Sequence, residues 1–301
     1  MTSILSIQLI TISFVILNRE TLHQKTVQQN HWKDSYDYVV VGAGAAGCAV
    51  AHRLSEDRET TVLLLEAGDR QSIITDIPGT GMIGNSYIGH QYDWNYTAVM
   101  QKSIGLGYVN STFTFRKGRI LGGTSSVNGV AYNRGNRRDF DDWVTTYGAN
   151  GWTYEEVLPF FIKSEYNYDL SLVRQNPGYH GTNGLVGVKS YEDPDPIFLL
   201  MRKKFNEMSY PTVDLNGAHQ LGTAIGQSFI SGYGLRSTAA NSFIDPNPYP
   251  KNLKVLINSL VTRVIFEGMI AKGVEFIRNN KVYKVSAKRE VILSAGMASI
   301  D

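Results

Sequence analysis

The chain has 301 residues, 43% of them hydrophobic, and its 29 basic and 27 acidic residues give a formal net charge of +2. This length and composition suit a globular protein of about two domains with a sizeable core. A charge so close to zero gives no reason to expect a nucleic-acid partner. The single cysteine, Cys48, excludes an intrachain disulfide, and it is predicted to be a small buried residue.

The N-terminal segment bears on the compartment. Residues 4–17 are nearly continuously apolar, which is too short for a membrane-spanning helix of roughly 20 residues but suits a secretory signal peptide. Residues 1–20 are therefore predicted to be a signal peptide, and N-glycosylation triplets at Asn95 and Asn110 are compatible with secretion. No basic residue precedes the apolar run and no clear cleavage site follows it, so a membrane anchor and a cytosolic start stay open.

A βαβ unit is predicted after this segment. Residues 37–41 form a short β-branched run, residues 45–55 an alanine-rich helical pattern, and residues 61–66 a second buried strand. A unit of this kind requires a parallel pair of strands with a right-handed crossover.

The turn between the first strand and the helix reads Gly42-x-Gly44-x-x-Gly47, and Glu66 ends the second strand. Gly42 permits a tight turn, Gly44 lets the backbone approach a pyrophosphate, and Gly47 lets helix and strand pack closely. The helix N-terminus would face the phosphates, and Glu66 would accept hydrogen bonds from ribose hydroxyls. The pattern indicates a dinucleotide but does not distinguish FAD from NAD.

The remaining chain gives a coarser prediction. Residues 69–119 are turn-rich, and so long an irregular segment in a compact domain is usually functional. Residues 167–187 are predicted to be a loop. Helices are predicted over residues 139–147, 153–164 and 194–208. Five strand-like runs follow, over residues 254–258, 261–266, 273–277, 282–287 and 290–294.

The last of these runs suggest a small antiparallel meander that feeds a final strand back into the main sheet, with turns at Glu267-Gly268 and Asn279-Asn280. The six histidines show no metal-ligand spacing, and no metal site is expected. A loop histidine such as His180 is expected to be structural or solvated. The tryptophans Trp94, Trp143 and Trp152 are expected to pack in the core.

A second glycine-rich cluster occupies residues 118–129 and contains a Gly-Gly pair, three hydroxyl residues and an asparagine. It suits a backbone pressed against a flat ring system and a pyrophosphate, with Thr124, Ser125 and Asn128 as polar contacts. An ordinary Gly-Ser loop is the alternative for this segment alone.

This cluster resembles the first signature of the glucose–methanol–choline (GMC) oxidoreductase family almost position for position. Other family-like stretches follow in order, and the resemblance covers about residues 36–296. They are Asp93-Trp94-Asn95-Tyr96, Gly151-Trp152-Thr153-Tyr154, Tyr179-His180-Gly181, Asp214-Leu215-Asn216-Gly217 and Gly234-Leu235-Arg236-Ser237-Thr238-Ala239.

The resemblance implies FAD as the cofactor. The cofactor-binding residues it implies are Gly42, Gly44, Ala45, Ala46, Gly47, Glu66, Ala67, Gly118, Arg119, Gly122, Gly123, Thr124, Ser125, Asn128, Gly129 and Val261. Among these, Asn128 would lie beside the flavin, and Val261 would contact the adenine through its backbone. Some family members attach FAD covalently through a histidine where this chain has Val127, so a noncovalent flavin is implied.

The resemblance also implies an α/β fold in two parts. A Rossmann-like FAD/NAD(P)-binding domain, with a parallel sheet and a small antiparallel meander, would comprise residues 36–165 and 227–299. Residues 166–226 would begin an α+β substrate domain whose remainder is missing.

The implied chemistry is oxidation of the CH–OH group of a small-molecule alcohol or sugar, with oxygen or a quinone as acceptor. Family members are much longer and carry their catalytic histidine near the far C-terminus, beyond residue 301, so no catalytic base is assigned. The chain is therefore expected to be a C-terminally truncated member. One alternative is a noncatalytic flavin-binding fragment. Another is an NAD-dependent Rossmann dehydrogenase, which explains Gly42 to Glu66 but not the cluster at residues 118–129.

Overall fold

The computed structural model describes residues 17, 21, 25–27, 31–78 and 89–297. The predicted signal peptide, residues 1–20, lies outside the described residues apart from Leu17. No helix among the described residues is long and apolar enough to cross a membrane.

The secondary structure of these residues alternates short helices and strands. The strands are β1 (Ser35–Val41), β2 (Val62–Leu65), β3 (Tyr96–Thr97), β4 (Thr114–Phe115), β5 (Ala131–Tyr132), β6 (Glu165–Asn167), β7 (Val186–Ser190), β8 (Gln227–Ser228), β9 (Leu253–Leu256), β10 (Leu260–Glu267), β11 (Ile270–Arg278) and β12 (Lys281–Leu293). The α-helices are α1 (Ala45–Ser55), α2 (Ile73–Asp76), α3 (Arg137–Tyr147), α4 (Tyr154–Ser164), α5 (Leu170–Gln175), α6 (Pro196–Glu207) and α7 (Ala239–Phe243). The 3-10 turns are Gly89–Tyr92, Val109–Ser111 and Gly123–Ser126.

The contacts between residues divide the chain into two compact units. The first unit comprises Met1–Asn128 and Thr238–Asp301, and the second comprises Gly129–Ser237. These boundaries differ from those predicted at residues 165 and 227. The difference has a physical reason, because β5 pairs with β8 and β8 pairs with β7, so strands on both sides of the predicted boundaries belong to one sheet.

The first unit is built on a six-stranded sheet in the order β10-β11-β12-β1-β2-β9. The strands β12, β1, β2 and β9 run parallel, as the predicted βαβ unit requires, whereas β10, β11 and β12 form an antiparallel meander. The α/β architecture and the meander predicted from the sequence are therefore confirmed.

The strand β12 joins the two parts of this sheet. Its first half pairs with β11 and its second half pairs with β1, so the two runs predicted at residues 282–287 and 290–294 form one continuous strand. The hairpin before it turns at Asn279 and Asn280, which both have positive φ, as a tight hairpin between twisted strands requires.

One core lies on a single face of this sheet. It is formed by alternate residues of the parallel strands, such as Val39 and Val41 of β1 and Leu63 and Leu65 of β2, packed against Phe276 of the meander. Alternation places Val40 and Leu64 on the opposite face, where α1 packs against β1 and β2. Because both faces are covered, the parallel strands read as continuous apolar runs.

The second unit is a mixed α+β structure. Its four-stranded sheet has the order β5-β8-β7-β6. The helices α3 and α4 begin with capping boxes, formed by Asn136 with Asp139 and by Thr153 with Glu156, which satisfy backbone N–H groups of each first turn.

Two predictions in this unit need correction. Residues 167–187 were predicted to be a loop, but they contain α5 and the start of β7. The prediction was wrong because the turn-forming residues of this stretch conceal the short apolar pattern of its helix and strand. The side chains of Trp143 and Trp152 were predicted to be buried, but both are exposed and pack edge to face against each other. Aromatic type alone does not decide burial, since tryptophan is often only partly covered.

Candidate cofactor-binding site

A cleft of about 560 Å³ opens in the first unit at the edge of its sheet. The last residues of three parallel strands line it: Val41 of β1, Leu65 of β2 and Leu293 of β12. Small-molecule sites typically occupy about 300–1,000 Å³ and lie at the carboxyl ends of parallel strands. The volume and the position of this cleft therefore suit a ligand of cofactor size.

The two glycine-rich segments meet in this cleft, although about 75 residues separate them in the sequence. The Gly122 N–H donates to the Ala43 carbonyl oxygen at 2.8 Å. A Cβ on Gly123 would lie 2.8 Å from the Gly44 Cα, so only a glycine lets the two backbones approach so closely. The structure thus joins into one surface the two motifs that the sequence showed separately.

The N-terminus of α1 points its free backbone N–H groups at this surface. Its N-cap, Gly44, makes no side-chain capping bond, and the first turn carries no acidic residue. Gly44, Ala45 and Ala46 all line the cleft. Because a helix N-terminus carries a partial positive charge and unpaired donors, it favours an anion such as a pyrophosphate.

The three glycines of the first motif differ in what surrounds them. A Cβ on Gly44 would meet no heavy atom within 4 Å, so the backbone there borders open space. A Cβ on Gly47 would lie 1.9 Å from the Gly42 carbonyl oxygen, so Gly47 is needed for packing helix against turn. Cys48, next to it, is fully buried as predicted, and burial raises the pKa of its thiol. The open space over Gly44 is the cradle that a dinucleotide would fill, so the residues present fit such a group.

Glu66 ties the glycine turn to the end of β2. Its carboxylate accepts hydrogen bonds from the backbone N–H groups of Ala43 and Gly68, each at 2.8 Å. Burial raises the pKa of Glu66, while these two hydrogen bonds and the charge of Arg119 act in the opposite direction. Each carboxylate oxygen can accept a further hydrogen bond, so Glu66 can hold the turn and still accept from a hydroxyl in the cleft.

Aromatic and basic side chains form another wall of the cleft. The rings of Trp94 and Tyr96 are stacked, with centroids 5.9 Å apart and planes 4° from parallel. Both line the cleft, together with Lys117. The Arg119 guanidinium lies 5.0 Å from the centre of the Trp94 ring. Trp94 was predicted to pack in the core, but it lies at the site.

Most of the predicted site residues come together here. Those that line the cleft are Gly42, Gly44, Ala45, Ala46, Glu66, Ala67, Gly118, Gly123, Thr124, Ser125 and Val261. Those that do not line it are Gly47, Arg119, Gly122, Asn128 and Gly129. Gly47 and Gly122 act through packing instead, since a Cβ on Gly122 would approach the Ser126 hydroxyl to 2.4 Å.

Sequence reasoning missed several lining residues. They are Val41, Leu65, Trp94, Tyr96, Lys117, Ser259, Leu260, Thr262, Arg263, Val264, Leu293, Ser294, Ala295, Gly296 and Met297. The stretch containing Trp94 was noted without a role, and the carboxyl ends of the strands were an available signal. Among the described residues, the cleft lining contains no histidine.

His180, which was expected to be structural or solvated, is buried in the second unit. Its Nδ1 lies 3.0 Å from a Glu165 carboxylate oxygen, and its Nε2 lies 2.6 Å from a carboxylate oxygen of Asp214. The Arg134 guanidinium donates to the other Glu165 oxygen at 3.0 Å. Burial lowers the pKa of His180, but the hydrogen bonds and charges of Asp214 and Glu165 outweigh burial and raise it to about 9. His180 is therefore buried between two carboxylates rather than solvated.

Comparisons with known proteins agree with this geometry. The sequence profile of the family described as GMC oxidoreductase matches residues 36–299. The chain is 36% identical over 264 residues to a glucose dehydrogenase [FAD, quinone] of Drosophila pseudoobscura pseudoobscura, covering 87% of this chain and 41% of that protein. It is 35% identical over 266 residues to an oxygen-dependent choline dehydrogenase of Burkholderia multivorans, covering 87% of this chain and 45% of that protein.

A similar solved structure is a pyridoxine 4-oxidase from Mesorbium loti, with a TM-score of 0.77 and 29% sequence identity over 87% of this chain and 49% of that one. The chain thus spans less than half the length of the relatives it matches. Because the family profile matches residues 36–299, which include every residue that lines the cleft, the chain belongs to the GMC oxidoreductase family, whose cofactor is FAD.

Proposed function

We propose that this chain is the FAD-binding portion of an oxidoreductase that acts on the CH–OH group of a small-molecule alcohol or sugar. The observation that carries the proposal is the approach of Gly123 to Gly44 beside the open N-terminus of α1. This contact joins a phosphate-binding turn to the segment that resembles the GMC signature. The relatives named above, a glucose dehydrogenase and a choline dehydrogenase, support the substrate class.

The residues of the first unit would hold FAD along the cleft. The backbone N–H groups of Ala45 and Ala46 would face the pyrophosphate, and Glu66 would accept from the adenosine ribose. Val261 in β10 would meet the adenine through its backbone. Gly118 and Thr124 would line the flavin and ribityl chain, and the Thr124 hydroxyl is already fixed because it accepts from the Gly118 N–H at 3.1 Å.

Arg119, Gly122, Asn128 and Gly129 complete the proposed cofactor set, although they do not line the cleft. Val127 follows the 3-10 turn Gly123–Ser126 and has no nucleophilic side chain, which supports a noncovalent flavin. When bound, FAD would accept the hydride released by the substrate carbon. Oxygen or a quinone would then reoxidise the flavin.

The two proposed regions differ from the two compact units. The proposed FAD-binding region comprises residues 36–165 and 227–299, and residues 166–226 would contribute to the substrate region. Pairing of β5 with β8 favours counting residues 129–165 and 227–237 with the second unit.

Cofactor binding is tested by purifying the full chain and recording the flavin absorbance spectrum before and after acid precipitation. Release of all flavin into the supernatant supports a noncovalent cofactor. The key variant is Gly44→Ala, whose Cβ enters the open space of the cleft without touching the protein. We expect it to weaken FAD binding by at least about tenfold, which corresponds to about 1.4 kcal/mol, with thermal stability of the apoprotein unchanged.

The matched control is Gly107→Ala, because a Cβ there would also meet nothing within 4 Å but lies outside the cleft. Equal FAD affinity of Gly44→Ala and Gly107→Ala would refute the proposed site. Retention of NAD instead of FAD would favour an NAD-dependent Rossmann dehydrogenase. A chain that retains FAD but is not reduced by any of a panel of alcohols and sugars would favour the noncatalytic flavin-binding protein.

We propose that residues 1–20 direct the chain into the secretory pathway, because the apolar run at residues 4–17 has the length of the apolar region of a signal peptide. Expression with and without residues 1–20 in cultured eukaryotic cells tests this. Protein in the medium only when residues 1–20 are present supports a signal peptide, and retention of the full chain in the membrane fraction supports an anchor.

A further inference from the structure

We propose that Asn110 carries an N-linked oligosaccharide and that Asn95, the other N-glycosylation triplet noted above, does not. This modification goes beyond the proposed oxidoreductase function and depends only on entry of the chain into the secretory pathway. Both residues lie in the first unit, at opposite ends of the β3–β4 hairpin, and their surroundings differ.

Asn110 is exposed in the loop that connects β3 with β4. It forms the middle of the 3-10 turn Val109–Ser111, with a φ of 55° that asparagine adopts readily. The Thr112 N–H donates to the Val109 carbonyl oxygen at 3.4 Å, so the triplet is presented in a turn. The Asn110 side chain makes no hydrogen bond to another of the described residues, which leaves its amide nitrogen accessible.

Several apolar side chains near Asn110 in the sequence are exposed. Val99, Leu106 and Val109 are exposed at 85%, 74% and 85%, and Met100 and Ile104 are also exposed. Exposed apolar side chains favour self-association when they lie together on a surface. An oligosaccharide is bulky and solubilising, so a glycan on Asn110 would shield this loop from self-association.

Asn95 lies in a hydrogen-bonded corner at the other end of the hairpin. Its side-chain amide donates to the Asp93 carbonyl oxygen at 3.3 Å, and its backbone N–H donates to the Asp93 carboxylate at 2.9 Å. Its neighbours Trp94 and Tyr96 are the stacked pair that lines the cofactor cleft. A glycan on Asn95 would be attached at a nitrogen already engaged with Asp93, between two residues that line the cleft, so it would crowd the cofactor site.

The modification is a group transfer without oxidation or reduction. The Asn110 amide nitrogen attacks the anomeric carbon of a lipid-linked oligosaccharyl diphosphate. The new N–C bond forms as the C–O bond to the diphosphate breaks, the amide nitrogen loses one proton, and the lipid diphosphate leaves. The hydroxyl residue at the third position of the triplet, Thr112, is required for recognition.

The test is expression of the full chain in cultured eukaryotic cells, once with its own N-terminus and once with a foreign signal peptide that forces entry into the secretory pathway. The secreted protein is treated with a peptide-N-glycosidase in heavy-oxygen water, which marks each formerly glycosylated asparagine as labelled aspartate. Tryptic peptides are then sequenced by mass spectrometry. We expect label at Asn110 and none at Asn95.

The variants sharpen this result. Asn110→Gln and Thr112→Ala should each abolish the gel shift caused by the glycosidase, Thr112→Ser should retain it, and Asn95→Gln should leave it unchanged. Removal of the glycan from the folded protein, without denaturation, should increase self-association of the wild-type chain. An unlabelled Asn110, or label at Asn95, in chains forced into the secretory pathway would overturn the inference. Label obtained only with the foreign signal peptide would support the glycan site while refuting the proposed role of residues 1–20.

Discussion

Raising the pH from about 6 to about 10 should destabilise this protein through the deprotonation of His180. The folded structure holds the pKa of His180 at about 9, against 6.5 in an unfolded chain, because Asp214 and Glu165 stabilise the imidazolium more than burial penalises it. A group whose pKa is raised by folding stabilises the folded state fully below its unfolded pKa. That contribution is lost as the pH rises from 6.5 through about 9.

The magnitude follows from the shift. At about 1.4 kcal/mol per pKa unit, the imidazolium contributes at most on the order of 3 kcal/mol. Two other charged groups interact with this cluster. Arg134 pairs with Glu165, and the pKa of Asp169 is lowered, since burial raises it less than hydrogen bonds from Leu172 and Ser190 and the charge of His180 lower it. Arg134 stays protonated throughout this pH range and keeps Glu165 paired. Loss of the His180 proton therefore weakens the charge cluster but leaves the Arg134–Glu165 ion pair in place.

The assay is urea unfolding of the full chain at a series of pH values, with the free energy of unfolding plotted against pH. His180→Gln should be less stable than the wild type at low pH and should lose most of the slope between pH 6.5 and about 9. His219→Gln is the matched control, since His219 is exposed. A wild-type stability that stays flat or rises over this range, or a His180→Gln variant with an unchanged slope, would refute the reasoning.

Three further substitutions test the site and the buried cluster. Glu66→Gln should weaken FAD binding and lower the free energy of unfolding by about 1–3 kcal/mol, measured by flavin titration and urea unfolding, because glutamine cannot accept from both backbone N–H groups. Gly47→Ala should destabilise the apoprotein by about 1–3 kcal/mol, since its Cβ would overlap the Gly42 carbonyl oxygen; unchanged thermal unfolding would contradict the packing role. Arg134→Met should cost about 3–5 kcal/mol by removing one of the two cations that pair with the buried Glu165, the other being His180, and a variant as stable as the wild type in urea would show that the Arg134–Glu165 pair is dispensable.

The part of the site predicted best from the sequence is local. The turn at Gly42, the helix after it and the strand that ends just before Glu66 are consecutive, and each has its own signal in residue type and spacing. The packing role of Gly47 also follows from its position in the motif. The second cluster was recognised by resemblance rather than by physical reasoning, since a glycine-serine loop has no structural period of its own.

The residues that sequence reasoning missed depend on contacts between distant segments. Trp94 carries an apolar side chain that suits a core as well as a cleft, and only the pairing of β3 with β4 and the contact with Arg119 place it at the site. Residues 294–297 follow the last strand and have no distinctive chemistry. They line the cleft because β12 pairs in parallel with β1 and so ends at the same edge.

His180 shows the same limit in a polar setting. A single histidine in a loop carries no sequence signal of its partners, which lie 15 and 34 residues away along the chain. Whether it is solvated or buried is decided by folding, which brings Glu165 and Asp214 to opposite nitrogens of one ring.

Local propensity and the period of apolar residues were enough to predict the α/β class, the glycine-rich turn and the meander, and resemblance to known motifs predicted the family. Three features became visible in the folded structure alone: the two glycine clusters share one cleft, β12 is a single strand joining the parallel and antiparallel parts, and the unit boundaries fall at residues 128 and 238. These features are set by long-range strand pairing and by the close approach of backbones. Both depend on where separate segments meet, which the spacing of residues along the chain does not encode.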